Sequence, residues 1–177
     1  ATANTSGLDR AAGGAMFGAD TRLGMARLGA FVGYQSSDYE VNALGSSSQA
    51  DSYQVGAYAG TKLGGFHLSG GAAYTWHDID TTRNVVIGGL SERLTGSTSA
   101  GTAQAFGEIG YAFRLQGQGN WLQLEPFAGL AHVSTSLDGY AESGGASALT
   151  VSSSTNDVTF TTLGIRTSSE FALSGEG

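Results

Sequence analysis

Three histidines and a scatter of acidic residues are the side chains of this sequence best suited to chemistry, and their spacing limits what they can do. His67, His77 and His132 show no H-E-x-x-H spacing, so only the fold could bring them to one metal ion. The segment GSTSAG at 96–101 resembles a nucleophile elbow loosely, but it lies in a polar stretch and not between a strand and a helix. No P-loop, G-x-G-x-x-G motif or EF-hand loop is present. We therefore predict that the chain is not an enzyme and has no catalytic residue, metal site or cofactor.

A second set of polar residues lies on the polar side of short segments in which polar and apolar residues alternate. This set comprises Asp20, Gln104, Glu108, Glu125 and Arg166. Glu125 belongs to it only if the strand around Pro126 has the matching phase. An apolar core would make such charges costly unless they were paired, whereas a water-filled interior would solvate them. Two roles stay open: keeping an interior polar while fixing strand register, or lining the path of a polypeptide.

The elements that position these residues are predicted to be β-strands. In GGFHLSGGAAYTWHDID, residues 64–80, apolar and polar residues alternate, as successive side chains of a strand do. Seven segments share this pattern, at roughly 11–21, 26–36, 52–62, 64–80, 102–115, 121–136 and 158–171. In the segment at 121–136 we expect Pro126 to mark a kink or bulge, because proline cannot donate to a strand ladder.

Charge is scarce for a water-soluble domain of this length. Of the 177 residues 13% are charged, against roughly 25% in ordinary soluble domains, and Lys62 is the single lysine. The net charge of −7 argues against a nucleic-acid partner, and the absence of cysteine excludes disulfides and cysteine-bound metals. No segment approaches the ~18 apolar residues of a membrane helix, but a membrane-spanning strand needs only ~9–11 residues.

The predicted connections alternate between short and long. Short turns fall near Thr21–Met25, Lys62–Gly65 and Gln116–Asn120, and long polar loops near Ser37–Asp51, Asp78–Gly101 and Ser136–Asp157. Outer-membrane barrels have short periplasmic turns and long external loops. We therefore predict an all-β fold, an antiparallel up-and-down meander forming part of a transmembrane β-barrel.

Aromatic residues fall near the ends of these predicted strands. They include Tyr34, Tyr53, Tyr74, Trp76 and Tyr111. Aromatic girdles face lipid at both borders of a membrane barrel, so we predict that these five side chains do the same. The alternative is that strands are simply rich in aromatic residues.

The segments GADTRLGMARLGAFVGYQSSDYE, YQVGAYAGTKLGGFHLSGGAAYTWHDIDTTR, AQAFGEIGYAFRL, WLQLEPFAGLAHV and TLGIRTSSEF follow one another along nearly the whole chain. Their order and spacing resemble the β-domain of bacterial autotransporters, the translocators of type V secretion. In that family a passenger and a threaded helix precede a twelve-stranded barrel that ends in an aromatic residue. The resemblance implies that residues 1–177 hold about seven strands, the second to the eighth. The passenger, the helix, the first strand and the C-terminal strands would be absent.

The resemblance also implies a function and partners. We expect an outer-membrane translocator barrel in a bacterial cell that supports secretion of its own N-terminal passenger. Its partners would be outer-membrane lipid, that passenger and the barrel-assembly machinery. The alternative is a non-transporting β-protein, either a porin-like or adhesive outer-membrane barrel or a soluble β-rich adhesin segment. A solenoidal adhesin is disfavoured because the chain has no fixed repeat.

Overall fold

The computed structural model describes residues 8–41, 45–116 and 121–170. Every regular element in these ranges is a β-strand. Among the described residues, no helix is long and apolar enough to cross a bilayer. The predicted all-β class is therefore confirmed.

The strands form a meander in which sequence neighbours pair antiparallel. They are β1 (Leu8–Leu23), β2 (Ala26–Val41), β3 (Ser46–Leu63), β4 (Phe66–Ile87), β5 (Leu90–Tyr111), β6 (Phe113–Gln116), β7 (Trp121–Leu137), β8 (Tyr140–Ala141), β9 (Thr150–Val151) and β10 (Ser154–Glu170). The main sheet follows the order β1-β2-β3-β4-β5-β7-β10, and β6 pairs with β7 as a continuation of β5. Within the described residues β1 and β10 do not pair with each other, so the sheet is not closed.

Glycines with positive φ make the tight turns between consecutive strands. Gly24 lies between β1 and β2, Gly64 between β3 and β4, and Gly88 with Gly89 between β4 and β5. A two-residue hairpin turn needs positive φ, which glycine adopts without steric cost. These turns confirm the expected short connections near Thr21–Met25 and Lys62–Gly65, while residues 117–120 of the third lie outside the described residues.

Two of the three predicted long loops are largely strand. The stretch Asp78–Gly101 is the upper part of a hairpin, since β4 continues to Ile87 and β5 begins at Leu90. Likewise β2 continues to Val41 and β3 begins at Ser46. The loop prediction was wrong here because Ser, Thr and Asp were interpreted as loop formers. Strands whose faces are not packed in an apolar core can be polar, so polar composition and extended structure are compatible.

Pro126 does not shift the register, contrary to the expected bulge. Gly110 pairs with Phe127 and Phe113 pairs with Leu124, which is one continuous register across the proline. Pro126 has no N–H to donate, and it lies opposite the break between β5 and β6, where the pairing with β7 is interrupted. Glu125 therefore has the phase that places it on the same face as Arg166, with which it pairs.

The two faces of the sheet differ in exposure in the opposite sense to a soluble protein. On β4 the polar Thr75 and His77 are partly buried, whereas the aromatic Tyr74 and Trp76 are exposed. In the sheet as a whole Glu125 is only 5% exposed, while Trp76 is 50% exposed. Leu94 is the one fully buried large apolar side chain in the part of the chain that the structure describes. A conventional apolar core between layers is not formed by these residues.

Candidate functional site: the charged face of the sheet

One face of the sheet carries a network of charges near the short turns, and we call it the charged face. Nη2 of Arg166 donates to both carboxylate oxygens of Glu108 at 2.8 Å, and its Nη1 donates to Oε1 of Glu125 at 3.2 Å. Nδ1 of His67 lies 2.8 Å from the other oxygen of Glu125. The network thus links β4, β5, β7 and β10, and it satisfies a carboxylate whose side chain is only 7% exposed.

A glycine makes room for this network. Gly110 lies between His67 and Phe127 in the ladder, and a Cβ built on it would come within 2.8 Å of Oε1 of Glu125. Glu125 can therefore extend over β5 to a partner on β4. The guanidinium of Arg166 also lies 3.9 Å from the centre of the Phe127 ring, which fixes it from a second side.

Asp20 belongs to a second network on the same face. It accepts hydrogen bonds from Nε and Nη2 of Arg27, both at 2.9 Å, and from the hydroxyl of Tyr58 at 3.3 Å. Tyr58 crosses β2 above Gly29, where any Cβ would collide with its ring. Asp20 and the cluster around Glu108 are therefore separate ion-pair groups within one polar surface.

The remaining candidates are placed as follows. Gln104 shares the face of Glu108 but joins neither ion-pair network. His77 lies farther along this face, where Nδ1 is 2.8 Å from Oγ of Ser52 and Nε2 is 3.1 Å from Oγ1 of Thr102. His132 lies on the opposite face and contacts Oγ1 of Thr159 at 2.9 Å. The three histidines do not converge, and among the described residues no group of three metal-ligating side chains forms.

The opposite face carries the aromatic candidates, and we call it the aromatic face. The rings of Tyr34 and Tyr53 are 5.2 Å apart, and those of Tyr74 and Trp76 are 4.7 Å apart. Because Tyr34, Tyr53 and Trp76 are paired through the ladders of β2, β3 and β4, they form one row.

A second aromatic row lies nearer the short turns. The ring of Tyr111 is 4.7 Å from that of Phe66 and 4.7 Å from that of Phe113. Phe66 and Trp76 lie ten residues apart on β4. Ten residues of strand span about 33 Å along the strand, or roughly 25 Å of height at a tilt of about 40°.

The comparisons with known proteins agree with this architecture. Residues 1–177 match the family described as the autotransporter beta-domain. The chain belongs to the autotransporter β-domain family. Membership implies a translocator role and an outer-membrane setting in Gram-negative bacteria.

Two curated relatives of this autotransporter β-domain, both called extracellular serine protease and both from Serratia marcescens, are 34% identical over 169 residues. Each match covers 95% of this chain and 16% of the relative, so the chain spans about a sixth of their length. The translocator domain of the autotransporter NalP from Neisseria meningitidis has a similar fold, with a TM-score of 0.70 at 20% identity. That match covers 89% of this chain and 54% of the NalP chain.

Sequence reasoning identified several members of the charged face of this β-domain but missed their partners. Arg27 was not a candidate, and His67 was considered only as a metal ligand, although each contacts a predicted carboxylate. His67 lies at a polar position of the alternating segment 64–80, so the face on which it lies was predictable. Its contact with Glu125 was not, because β4 and β7 are not adjacent strands.

Proposed function

We propose that this β-domain is part of an outer-membrane barrel through which the N-terminal passenger of the same protein is secreted. The observation that carries the proposal is the inverted exposure on β4 and at Glu125. Tyr74 and Trp76 are exposed, whereas Thr75 and His77 are partly buried and the Glu125 carboxylate is buried. A hydrocarbon environment stabilises such an aromatic face, whereas water does not. Family membership implies the translocator role, and we add the proposal that the cargo is the protein's own passenger.

The aromatic face is proposed to meet lipid. The two aromatic rows are separated by roughly 25 Å of height, which equals the height of the apolar band of outer-membrane barrels. Tyr34, Tyr53, Tyr74 and Trp76 would then lie at the outer border and Tyr111 at the periplasmic border. Ala72 and Ala105, which pair with each other between the two rows on this face, are uncharged and small.

The charged face is proposed to line the lumen. Asp20, Gln104, Glu108, Glu125 and Arg166 would keep water in the channel and hold neighbouring strands in register. Because opposite charges are paired within the wall, a passing polypeptide would meet a polar surface with few free charges. We assign these residues a structural and lining role, and no catalytic one.

Further strands are proposed to complete the barrel. Within the described part of the chain no strand pairs with the outer edge of β1 or β10, and in lipid every unpaired N–H or C=O group costs several kcal/mol. The seven-strand path is odd, so β1 and β10 run in the same direction and closure on each other would be parallel. Bacterial barrels close antiparallel, so we propose that strands outside residues 1–177 pair with both edges and that the barrel-assembly machinery inserts the whole.

The proposal is tested in the full-length protein with an epitope in the segment that precedes the barrel. We expect the epitope to be digested by protease added to intact cells, and the β-domain to be protected. Ala105→Arg, in the aromatic face, should prevent both outcomes, while the neighbouring Gln104→Arg should not. A protected barrel whose epitope never reaches the surface would contradict translocation and favour a porin-like barrel. A chain that stays in the soluble fraction would contradict the membrane assignment.

A further inference from the structure

The segment between β7 and β10 folds back onto the tall β4–β5 hairpin, and we call residues 138–153 the flap. The flap extends the sheet beyond the end of β7, which pairs with β5 only up to Ala100. The N–H of Asp138 donates to the carbonyl of Ser99 at 2.9 Å, and Thr95 and Ser143 exchange two backbone hydrogen bonds at 2.9 and 2.8 Å. These backbone hydrogen bonds hold the flap against β5, while its own two strands, β8 and β9, pair with each other in a separate sheet.

The turn of the flap then lies over the charged face. The ladder of β4 and β5 is continuous from Phe66 to Ile87, so Leu94 and Glu92 share the face of Glu108. Glu92 accepts the backbone N–H groups of Ala146 and Ser147, both at 2.9 Å. Together these contacts bring the turn over Leu94, which is completely buried.

An ion pair latches the turn. Nε and Nη2 of Arg83 donate to the two carboxylate oxygens of Glu142 at 3.0 and 2.5 Å, and Nη2 also donates to the carbonyl of Ser147 at 3.0 Å. The side chain of Glu142 is only 6% exposed and also accepts the N–H of Leu149. A bidentate pair of this kind fixes both distance and orientation.

The ion pair of Arg83 and Glu142, which we call the latch, lies beyond the aromatic row of Tyr34, Tyr53 and Trp76. Arg83 follows Trp76 by seven residues on β4, which is about 23 Å along the strand and roughly 18 Å in height at a tilt of about 40°. At that height the flap is outside the membrane, at the end where polypeptide would leave the channel. Gly144, at the turn, has a φ of 119° and lies against the carbonyl of Arg93, so no larger residue fits there.

We propose that the flap is an exit gate, latched by Arg83 and Glu142, that narrows the outer end of the channel when no polypeptide occupies it. This inference rests on the proposed function, since it assigns the charged face to the lumen. Opening requires loss of the ion pair and of the Glu92 contacts, while β7 and β10 stay in place. The gate is thus a local two-state element on a rigid wall.

The test measures conductance of the purified full-length protein in planar bilayers. Glu142→Gln and Gly144→Val should each raise the mean conductance, by roughly twofold or more if the flap restricts the exit. The double variant Arg83→Glu/Glu142→Arg should restore part of the low conductance, because it re-forms the ion pair but not the hydrogen bonds with Ser147 and Leu149. Asp157→Asn is the matched control, because Asp157 is an exposed carboxylate on the opposite face, and it should leave the conductance unchanged.

A disulfide provides the opposite perturbation. Thr95 and Ser143 form a hydrogen-bonded antiparallel pair, whose Cα atoms lie about 5.5 Å apart, within the range of a disulfide. Thr95→Cys/Ser143→Cys should lower conductance when oxidised and return it on reduction, and the single cysteine variants should show no redox effect. Each protein is first checked for a heat-modifiable barrel on gels. If either Glu142→Gln or Gly144→Val does not fold, the conductance test uses the other.

The outcomes separate the gate from the translocator. Equal conductance in all folded variants, with the passenger still reaching the cell surface, would overturn the gate and leave the proposed function standing. Absence of both a channel and a surface passenger in the unmodified protein would overturn the proposed function itself. Raised conductance in the opening variants together with a redox-controlled closed state would support both.

Discussion

Nδ1 of His67 lies 2.8 Å from Oε2 of Glu125 although their strands, β4 and β7, are separated by β5. The contact exists because Gly110 of β5 has no side chain beneath the Glu125 carboxylate. A residue that looks like an ordinary strand glycine in the sequence therefore determines whether a buried carboxylate finds its partners.

Gly110→Ala is expected to destabilise the barrel by about 1–3 kcal/mol, the usual cost of overpacking a filled site. Its Cβ would lie 2.8 Å from Oε1 of Glu125 and would displace the carboxylate from Arg166 and His67. The measurement is the urea midpoint of the assembled barrel in detergent, followed by heat-modifiability on gels. Gly60→Ala is the matched control, because the nearest atom to its Cβ would be 3.6 Å away. Equal midpoints for the two variants would refute this role of Gly110.

Adjacent residues on β5 test the assignment of the two faces. Ala105 lies on the aromatic face and Gln104 on the charged face. Arginine at Ala105 would place a charge within the apolar band, where the cost is about 2–4 kcal/mol at the midplane. We expect Ala105→Arg to abolish assembly into lipid vesicles of the full-length protein and Gln104→Arg to assemble nearly normally. Similar yields of assembled protein would contradict the assignment, and failure of Gln104→Arg alone would show that the faces have been assigned the wrong way round.

Acid is expected to release the flap. The hydrogen bond from Arg83 lowers the pKa of Glu142, and the hydrogen bonds from Ser147 and Ala146 lower the pKa of Glu92. A carboxylate whose folded pKa lies below its unfolded value stabilises the docked state above the unfolded pKa of about 4.3, and this contribution disappears as pH falls through the folded pKa. Docking should therefore be constant from pH 7 to 5 and weaken below about pH 4.

Arg83 is the charged partner of Glu142 and also interacts with Glu92 from β5 and Tyr140 from β8, while the backbone N–H of Leu149 donates to Glu142. Hydrogen exchange of the Ala146 and Ser147 amides, corrected for the intrinsic pH dependence of exchange, reports docking directly. Glu142→Gln should remove part of the pH dependence and show weak protection already at pH 7. Protection that stays constant down to pH 3 in the unmodified protein would exclude the carboxylates as the acid-sensitive contacts.

The free edges of the sheet predict how residues 1–177 behave when expressed alone. Among the residues that the structure describes, no strand pairs with the outer edge of β1 or of β10, and such edges associate with other strands. We expect oligomers joined edge to edge and no heat-modifiable monomer in detergent. A longer chain with one strand added before β1 and four after β10 should give the monomeric barrel. A folded, protease-resistant monomer from residues 1–177 would contradict the proposed strand count.

The sequence alone determined which residues share a face, because the period of two is a local property of strands. It therefore predicted that Glu108 and Tyr111 lie on opposite faces, and they stand three residues apart on the same strand, β5. It also predicted the short turns, whose glycines mark positions that need positive φ. The polar hairpin beyond Trp76 was missed, because a composition rich in Ser, Thr and Asp does not distinguish a loop from a strand.

Tertiary structure decided which members of a face touch. The partners of Glu125 come from β4 and β10, and those of Asp20 from β2 and β3. The latch between Arg83 and Glu142 joins residues 59 positions apart. Such contacts depend on strand order, on register and on which glycines leave room for a long side chain. None of these is a periodic property, so alternation in the sequence indicates the surface on which a charge lies but not its partner.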